Sequence, residues 1–395
     1  MSAATDASSA PGEAEERIAA APAQRSRRDL RLDFFRGVAL WFIFLDHIPD
    51  NAASWFTVRN YGFSDATETF VFISGYAAVV AYSRVLLQRG WPIAAAQVLR
   101  RVWQLYVAHI MLFVAFTAQI AWVALRTDRT TFIEQMNLIG LVQEPTRVIV
   151  ETALLRFRPV NLDILPLYIV ILATFAFALP AVRRAPWIAC AGSALVYLLA
   201  RRFEWNLPAY PEGKTWYFDP FMWQLAFYFG AACAADGRVG ERLRPYARIL
   251  TPAAITYVVL AGVIALSWQF NPLARLVPDW LGRLIYPIDK TTLDPLRAAH
   301  FLALAYLAQR VVSPEARFLR WPIVGPVRRC GEHSLLVFCL GTFLSFSAQV
   351  WIDAVGGSLA AQFAASVAGI ALLTAAAYVA AWYKKGQGAG TSAAR

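Results

Sequence analysis

Arg31-Leu-Asp-Phe-Phe-Arg-Gly-Val-Ala-Leu-Trp-Phe-Ile-Phe-Leu-Asp-His-Ile-Pro-Asp50 is an apolar run entered by Arg36 and left by His47, with ten residues between the two. On an α-helix, eleven steps of about 100° bring both side chains to one face. A rise of ~1.5 Å per residue sets them roughly 16 Å apart along that face. With Arg36 at one membrane interface, His47 lies near the middle of a hydrocarbon core ~30 Å thick. An ionisable group at that depth marks a functional site. The stretch therefore predicts a span over 34–54 that carries a chemical group at its middle.

The rest of the chain fits a membrane reading. It is 58% hydrophobic and only 16% charged, with a mean hydropathy of +0.46, where soluble domains carry about 25% charged residues. Apolar windows near 20 residues recur along it, which predicts an all-α polytopic membrane protein with a bilayer as its surroundings. A net charge of +11 raises nucleic acid as a partner. The basic residues, however, fall in short loops between spans, which reads as topology and excludes that partner class. Cys190, Cys233, Cys330 and Cys339 are scattered with no Cys-x-x-Cys pair, so neither a disulfide framework nor a metal site is expected. Residues 1–30 lack an apolar core and read as a disordered cytoplasmic tail. Residues 31–383 read as the membrane domain and 384–395 as a cytoplasmic tail. Oligomeric state is not readable from the sequence.

Ten spans are predicted, over 34–54, 66–88, 102–124, 162–181, 187–203, 218–235, 250–268, 294–311, 333–352 and 358–382. Even parity puts both termini on one side. The cluster Arg25, Arg27, Arg28 and Arg31, together with Arg100, Arg101, Arg183, Arg184, Arg238, Arg242, Arg244, Arg248, Lys384 and Lys385, makes that side cytoplasmic. Three long outer segments follow, 125–160, 203–219 and 269–293, the second rich in Trp and Tyr suited to an interface belt or a sugar platform.

Several stretches then carry a resemblance. Arg36-x10-His47, preceded by Leu32-Asp33, resembles the Arg-x10-His signature of the acyltransferase-three superfamily. Glu68-Thr-Phe-Val-Phe-Ile-Ser-Gly-Tyr76 is similar to its acidic-x-Phe-Phe-Val-Leu-Ser-Gly-Phe motif, with Glu68 where aspartate is more usual. Arg100-Arg101-Val-Trp-Gln-Leu-Tyr106 resembles its Arg-Arg entrance to the third span, with Gln104 and Leu105 as departures. Within the superfamily, the OpgC group is resembled most by Leu32-Asp-Phe-Phe-Arg-Gly37, Asn161-Leu-Asp-Ile-Leu-Pro-Leu-Tyr168, Asp219-Pro-Phe-x-Trp-Gln224, Asp289-Lys-Thr-Thr-Leu-Asp294 and His333-Ser-Leu-x-Val-Phe338. This resemblance runs over about residues 31–382. It implies a bacterial inner-membrane enzyme that attaches succinyl groups to osmoregulated periplasmic glucans, with succinyl-CoA as donor and no permanently bound cofactor.

The chemistry is also readable from the residues. Transfer of an acyl group from a thioester to a sugar hydroxyl needs a base, and imidazole suits it, so His47 is the expected base. Glu68 is the favoured carboxylate to support the imidazolium, with Asp46 and Asp50 behind it. Arg36, Arg100 and Arg101 would bind the CoA phosphates at the cytoplasmic mouth, with His333 a weaker donor-side contact. On the outer side, Asn161, Asp163, Trp216, Asp219, Asp289 and Lys290 would meet the acceptor. Asp163 and Asp219 also read as helix N-caps, and Lys290 as a cation for a succinyl carboxylate. A narrow inner channel from Arg36 and a wider outer vestibule should meet at His47, closed by Trp41 and Phe44 or by the donor. Two other readings stay open: O-acylation of another glycan or a lipid-linked sugar, and a non-catalytic transporter or export protein with His47 as a proton relay.

Overall fold

The computed structural model describes residues 29–393; the tail read over 1–30 lies almost entirely outside them, as do residues 394 and 395. The long helices are α1 (Leu30–Asp46), α2 (Ala66–Thr127), α3 (Ile164–Arg184), α4 (Pro186–Phe203), α5 (Pro220–Asp236), α6 (Ala247–Ser267), α7 (Pro295–Val311), the short α8 (Gly325–Glu332), α9 (Ser334–Ala354) and α10 (Leu359–Ala393). Among the described residues the sheet is one two-residue antiparallel pair, Pro208–Ala209 with Lys214–Thr215. The all-α membrane character is therefore as expected. Among the described residues, five segments are long and apolar enough to cross a bilayer: Ala66–Thr127, Ile164–Arg184, Val239–Ser267, Ser334–Ala354 and Leu359–Gly386.

Two expectations about the helices change. The first span does not run through to 54. α1 stops at Asp46, His47 caps it, and 3-10 turns follow at Ala52–Phe56 and Val58–Asn60. Pro49 explains the stop, because a proline ring disfavours helical backbone at the residue before it. The second and third spans are not separated by a basic loop. α2 is continuous except at Gly90, whose φ of 79° and ψ of 172° break the helix. Glycine takes that backbone without steric penalty, and Pro92 then sits in the first turn of the new segment, where its missing N–H is harmless.

Two of the segments expected on the outer side hold short helices. Residues 125–160 hold three short helices, Thr131–Gln135, Ile139–Gln143 and Pro145–Ala153, and 269–293 holds Asn271–Ala274 and Asp279–Ile285.

α2 packs chiefly on α5 and α3, and α1 on α8, α2 and α9. Small residues allow the closest crossings, as in membrane helices generally. A Cβ at Gly37 would overlap the carbonyl of Val327, and one at Gly331 would overlap the carbonyl of Asp33. α1 and α8 thus touch backbone to backbone beside Arg36. Trp223, Phe44, Phe116, Phe157, Phe175, Phe227 and Phe346 fill the core without exposure above 2%.

Candidate active site

His47 stands at the C-terminal end of α1. Its backbone N–H donates to Ile43 O at 3.0 Å. The ring is half-buried, and its Nδ1 is sealed with no hydrogen-bond partner among the described residues. The carboxylates expected to support it have other engagements. Asp46 turns aside and accepts from Thr57 Oγ1 at 2.8 Å, because consecutive helical side chains diverge by about 100°. Asp50, past Pro49, is exposed with φ 51°.

Glu68 has both oxygens committed. Oε1 accepts from Arg297 Nε at 2.8 Å, and Oε2 accepts from the Asp65 N–H at 2.9 Å. The second bond exists because Asp65 and Glu68 form a capping box at the start of α2. The expected Glu68–His47 pairing is therefore absent. The charged groups whose fields reach His47 are Lys290, Asp65 and Arg59.

Asp65 is the centre of a buried cluster. Its Oδ2 lies 2.7 Å from Lys290 Nζ and 3.1 Å from Arg297 Nη2, and its Oδ1 accepts from the Thr67 N–H. Two carboxylates and two cations balance, and Glu68 has no exposed surface. Burying such charges is tolerable only when they are paired. Arg297→Leu leaves Glu68 buried and uncompensated, with an expected loss of roughly 3–5 kcal/mol of stability. Adding Glu68→Leu should recover much of it. Thermal unfolding of the purified protein checks this, and additive losses in the double variant would contradict it.

The outer candidates converge although they are scattered in sequence. Asp163 occupies the N-cap position of α3 as expected but makes no side-chain cap bond; its carboxylate accepts from Arg158 Nε at 2.9 Å instead. The Arg158 guanidinium lies 4.4 Å above the Trp216 ring, and Trp216 Nε1 donates to Pro208 O at 3.1 Å. Asn161 turns the chain into that group with φ 71°. Asp219 does cap α5, accepting from the Phe221 N–H at 2.8 Å, while its own N–H donates to Thr291 O. Trp223 Nε1 donates to Lys290 O at 3.0 Å, and Lys290 Nζ lies 5.6 Å from the Phe218 ring centroid. Asp289 accepts from the Thr291 N–H and from the hydroxyls of Thr291 and Thr292. Burial opposes its charge, but those donors hold its carboxyl below the usual carboxylate range. The 289–291 segment is thereby pinned beside the Asp65 cluster, with Lys290 31% exposed.

A cavity of about 180 Å³ is lined by Arg36, Arg101, Ser74, Tyr82 and Tyr168, with Phe70, Leu105, Leu165 and Phe338 as its apolar wall. Arg36 donates to Ile73 O at 3.2 Å. Arg101 belongs to this cavity, whereas Arg100 is exposed and not part of its lining, one helical step away. His333 is half-buried at the junction of α8 and α9, and its followers Ser334 and Leu335 line the cavity. Trp41 and Phe44, expected to close the junction, pack elsewhere: Trp41 Nε1 donates to Cys330 Sγ, and Phe44 lies against Gly369. Phe70 and Phe338, with ring centroids 6.2 Å apart, stand in the cavity wall instead.

Sequence reasoning named Asp65 only as a candidate cap of the second span, which it is, and missed Arg158 and Arg297. Arg297 had a signal: it sits three residues after Asp294 inside an apolar helix, and a charge placed there is rarely incidental. Arg158 lies in a segment with no periodic pattern and offered none.

A family model described as OpgC protein matches residues 28–385. No curated protein and no solved structure matches the chain.

Proposed function

The chain belongs to the OpgC family, which makes it a membrane protein of the O-acyltransferase type acting on glucans, and we propose that it moves succinyl groups from cytoplasmic succinyl-CoA to hydroxyls of periplasmic glucans. About ten spans in a bacterial inner membrane, with both termini in the cytoplasm, would carry the site. The observation that favours this reading is the pairing of Arg36 and Arg101 in one cavity, while an unpartnered His47 Nδ1 stands at the far end of the helix that bears Arg36.

In this reading the CoA phosphates meet Arg36 and Arg101, and the pantetheine arm carries the thioester along the face of α1. A glucan hydroxyl approaches from the side of Trp216, Asp163 and Lys290. His47 takes the hydroxyl proton as oxygen attacks the thioester carbon. Asp65 replaces Glu68 as the carboxylate whose field supports the imidazolium. The carbon–sulfur bond then breaks, and the thiolate recovers the proton from His47. Lys290 supplies a cation for the free carboxylate of the succinyl group.

Purified protein in detergent, given succinyl-CoA and a glucan, should release free CoA and form a succinyl ester. A transporter has no gradient to use there. Absence of both products under conditions where the protein remains folded would refute an acyltransferase.

A further inference from the structure

His109 is a second histidine, buried within α2, and the proposed reaction leaves it without a task. It has no exposed surface, and neither ring nitrogen has a hydrogen-bond partner among the described residues. Buried polar groups are almost always paired, so one with two unpaired nitrogens needs an explanation. In hydrocarbon the penalty is not relieved by nearby water.

Its place on α2 supplies that explanation. Arg101 and Leu105 both line the cavity that holds Arg36. His109 is the next residue at four-residue spacing, and α2 is unbroken there. Side chains four apart share a helix face, so His109 lies on the cavity-facing side of α2, about 6 Å beyond Leu105 and about 12 Å beyond Arg101, just past the residues that line the cavity. From the other direction, the charge whose field reaches His109 is Arg158, the residue that binds Asp163 and covers Trp216. His109 thus lies between the donor cavity and the outer aromatic group.

We propose that His109 is a second catalytic residue, donating its ring N–H to the thioester carbonyl oxygen as that oxygen gains charge. The proposal rests on the acyltransferase reading. A neutral imidazole has one N–H donor and one acceptor. A donor held in a dry site and aimed at a developing oxyanion accelerates acyl transfer strongly, because it stabilises charge that exists only in the transition state. In the step, the acceptor hydroxyl oxygen bonds to the carbonyl carbon and its proton passes to His47. The carbonyl electron pair moves onto oxygen, where His109 holds it. On collapse the C=O re-forms, the C–S bond breaks, and the CoA sulfur takes the proton from His47.

The test compares wild type, His109→Leu and His109→Gln for thermal stability, CoA binding, and kcat against donor KM. Leucine fills the apolar site without a donor, and glutamine keeps one. The expected result is that His109→Leu keeps wild-type stability and CoA affinity but loses about 10²–10³-fold in kcat. His109→Gln should regain at least tenfold of that loss. Near wild-type kcat in His109→Leu, or equal losses in both variants together with lost stability or CoA binding, would overturn the proposal. If His109→Leu does not fold, His109→Gln decides alone, since a folded glutamine variant as inactive as a His47→Ala control removes donation as the role. Wild-type protein that binds CoA yet transfers nothing would overturn the acyltransferase reading itself, which separates the two failures.

Discussion

Replacing His47 with alanine lowers acyl transfer by about 10²–10⁴-fold, the span typical of a lost general base, while CoA binding stays near wild type. The separation follows from placement. His47 is not among the residues lining the Arg36–Arg101 cavity, and its Nδ1 bonds to no described side chain, so its loss breaks no protein hydrogen bond at that atom. Asparagine at the same place keeps polarity without a base and should be equally slow. Asp65→Asn should be milder for chemistry, because it acts on His47 only through its field, but it also unbalances Lys290 and Arg297. Single-turnover measurement of CoA release separates the chemical step from binding. A His47→Ala protein with near wild-type turnover would end the general-base mechanism.

Arg36→Ala combined with Arg101→Ala weakens CoA binding by about 100-fold, and Arg100→Ala leaves it within about twofold. Hydrogen bonds to charged groups contribute roughly 1.5–3 kcal/mol each, so losing two phosphate contacts amounts to two decades or more even after partial solvation. Arg100 differs because its side chain points away from the cavity that Arg101 enters. The effect should shrink as salt screens the phosphates, and a pantetheine thioester lacking the nucleotide should bind wild type and double variant alike. Isothermal titration at two ionic strengths measures this. Equal losses from Arg100→Ala and Arg101→Ala would mean that general basic charge, and not the cavity, holds the donor.

The positions of the helices were legible because each is written locally. Long apolar runs, the Asp219-Pro220 and Asp294-Pro295 starts, and basic residues at span ends are signals contained in a few neighbouring residues. The end of α1 was nearly legible as well, since Pro49 is the signal, yet the apolar residues 52–56 hid it by extending the hydropathy of the span. The assignment of Glu68 to His47 failed for a different reason. Both residues were placed at similar depth, and depth does not specify a partner. Glu68 found Arg297, 229 positions later, and no local pattern encodes that distance.

By itself the sequence determined that this is an all-α membrane protein with the Arg36–His47 pair on one helix, because apolar content and helical spacing depend only on residues near one another. It also determined the family through short ordered stretches. Only the tertiary structure decided that Glu68 pairs with Arg297 and not with His47, that Arg101 and not Arg100 joins Arg36 in one cavity, that Lys290 meets Asp65, and that Asp163 and Trp216 share Arg158. Those pairings follow from helix crossings set by close contacts such as Gly37 on Val327 and Gly331 on Asp33. The relative rotation of packed helices, which selects the side chains that meet, is a property of the whole bundle and of no single segment.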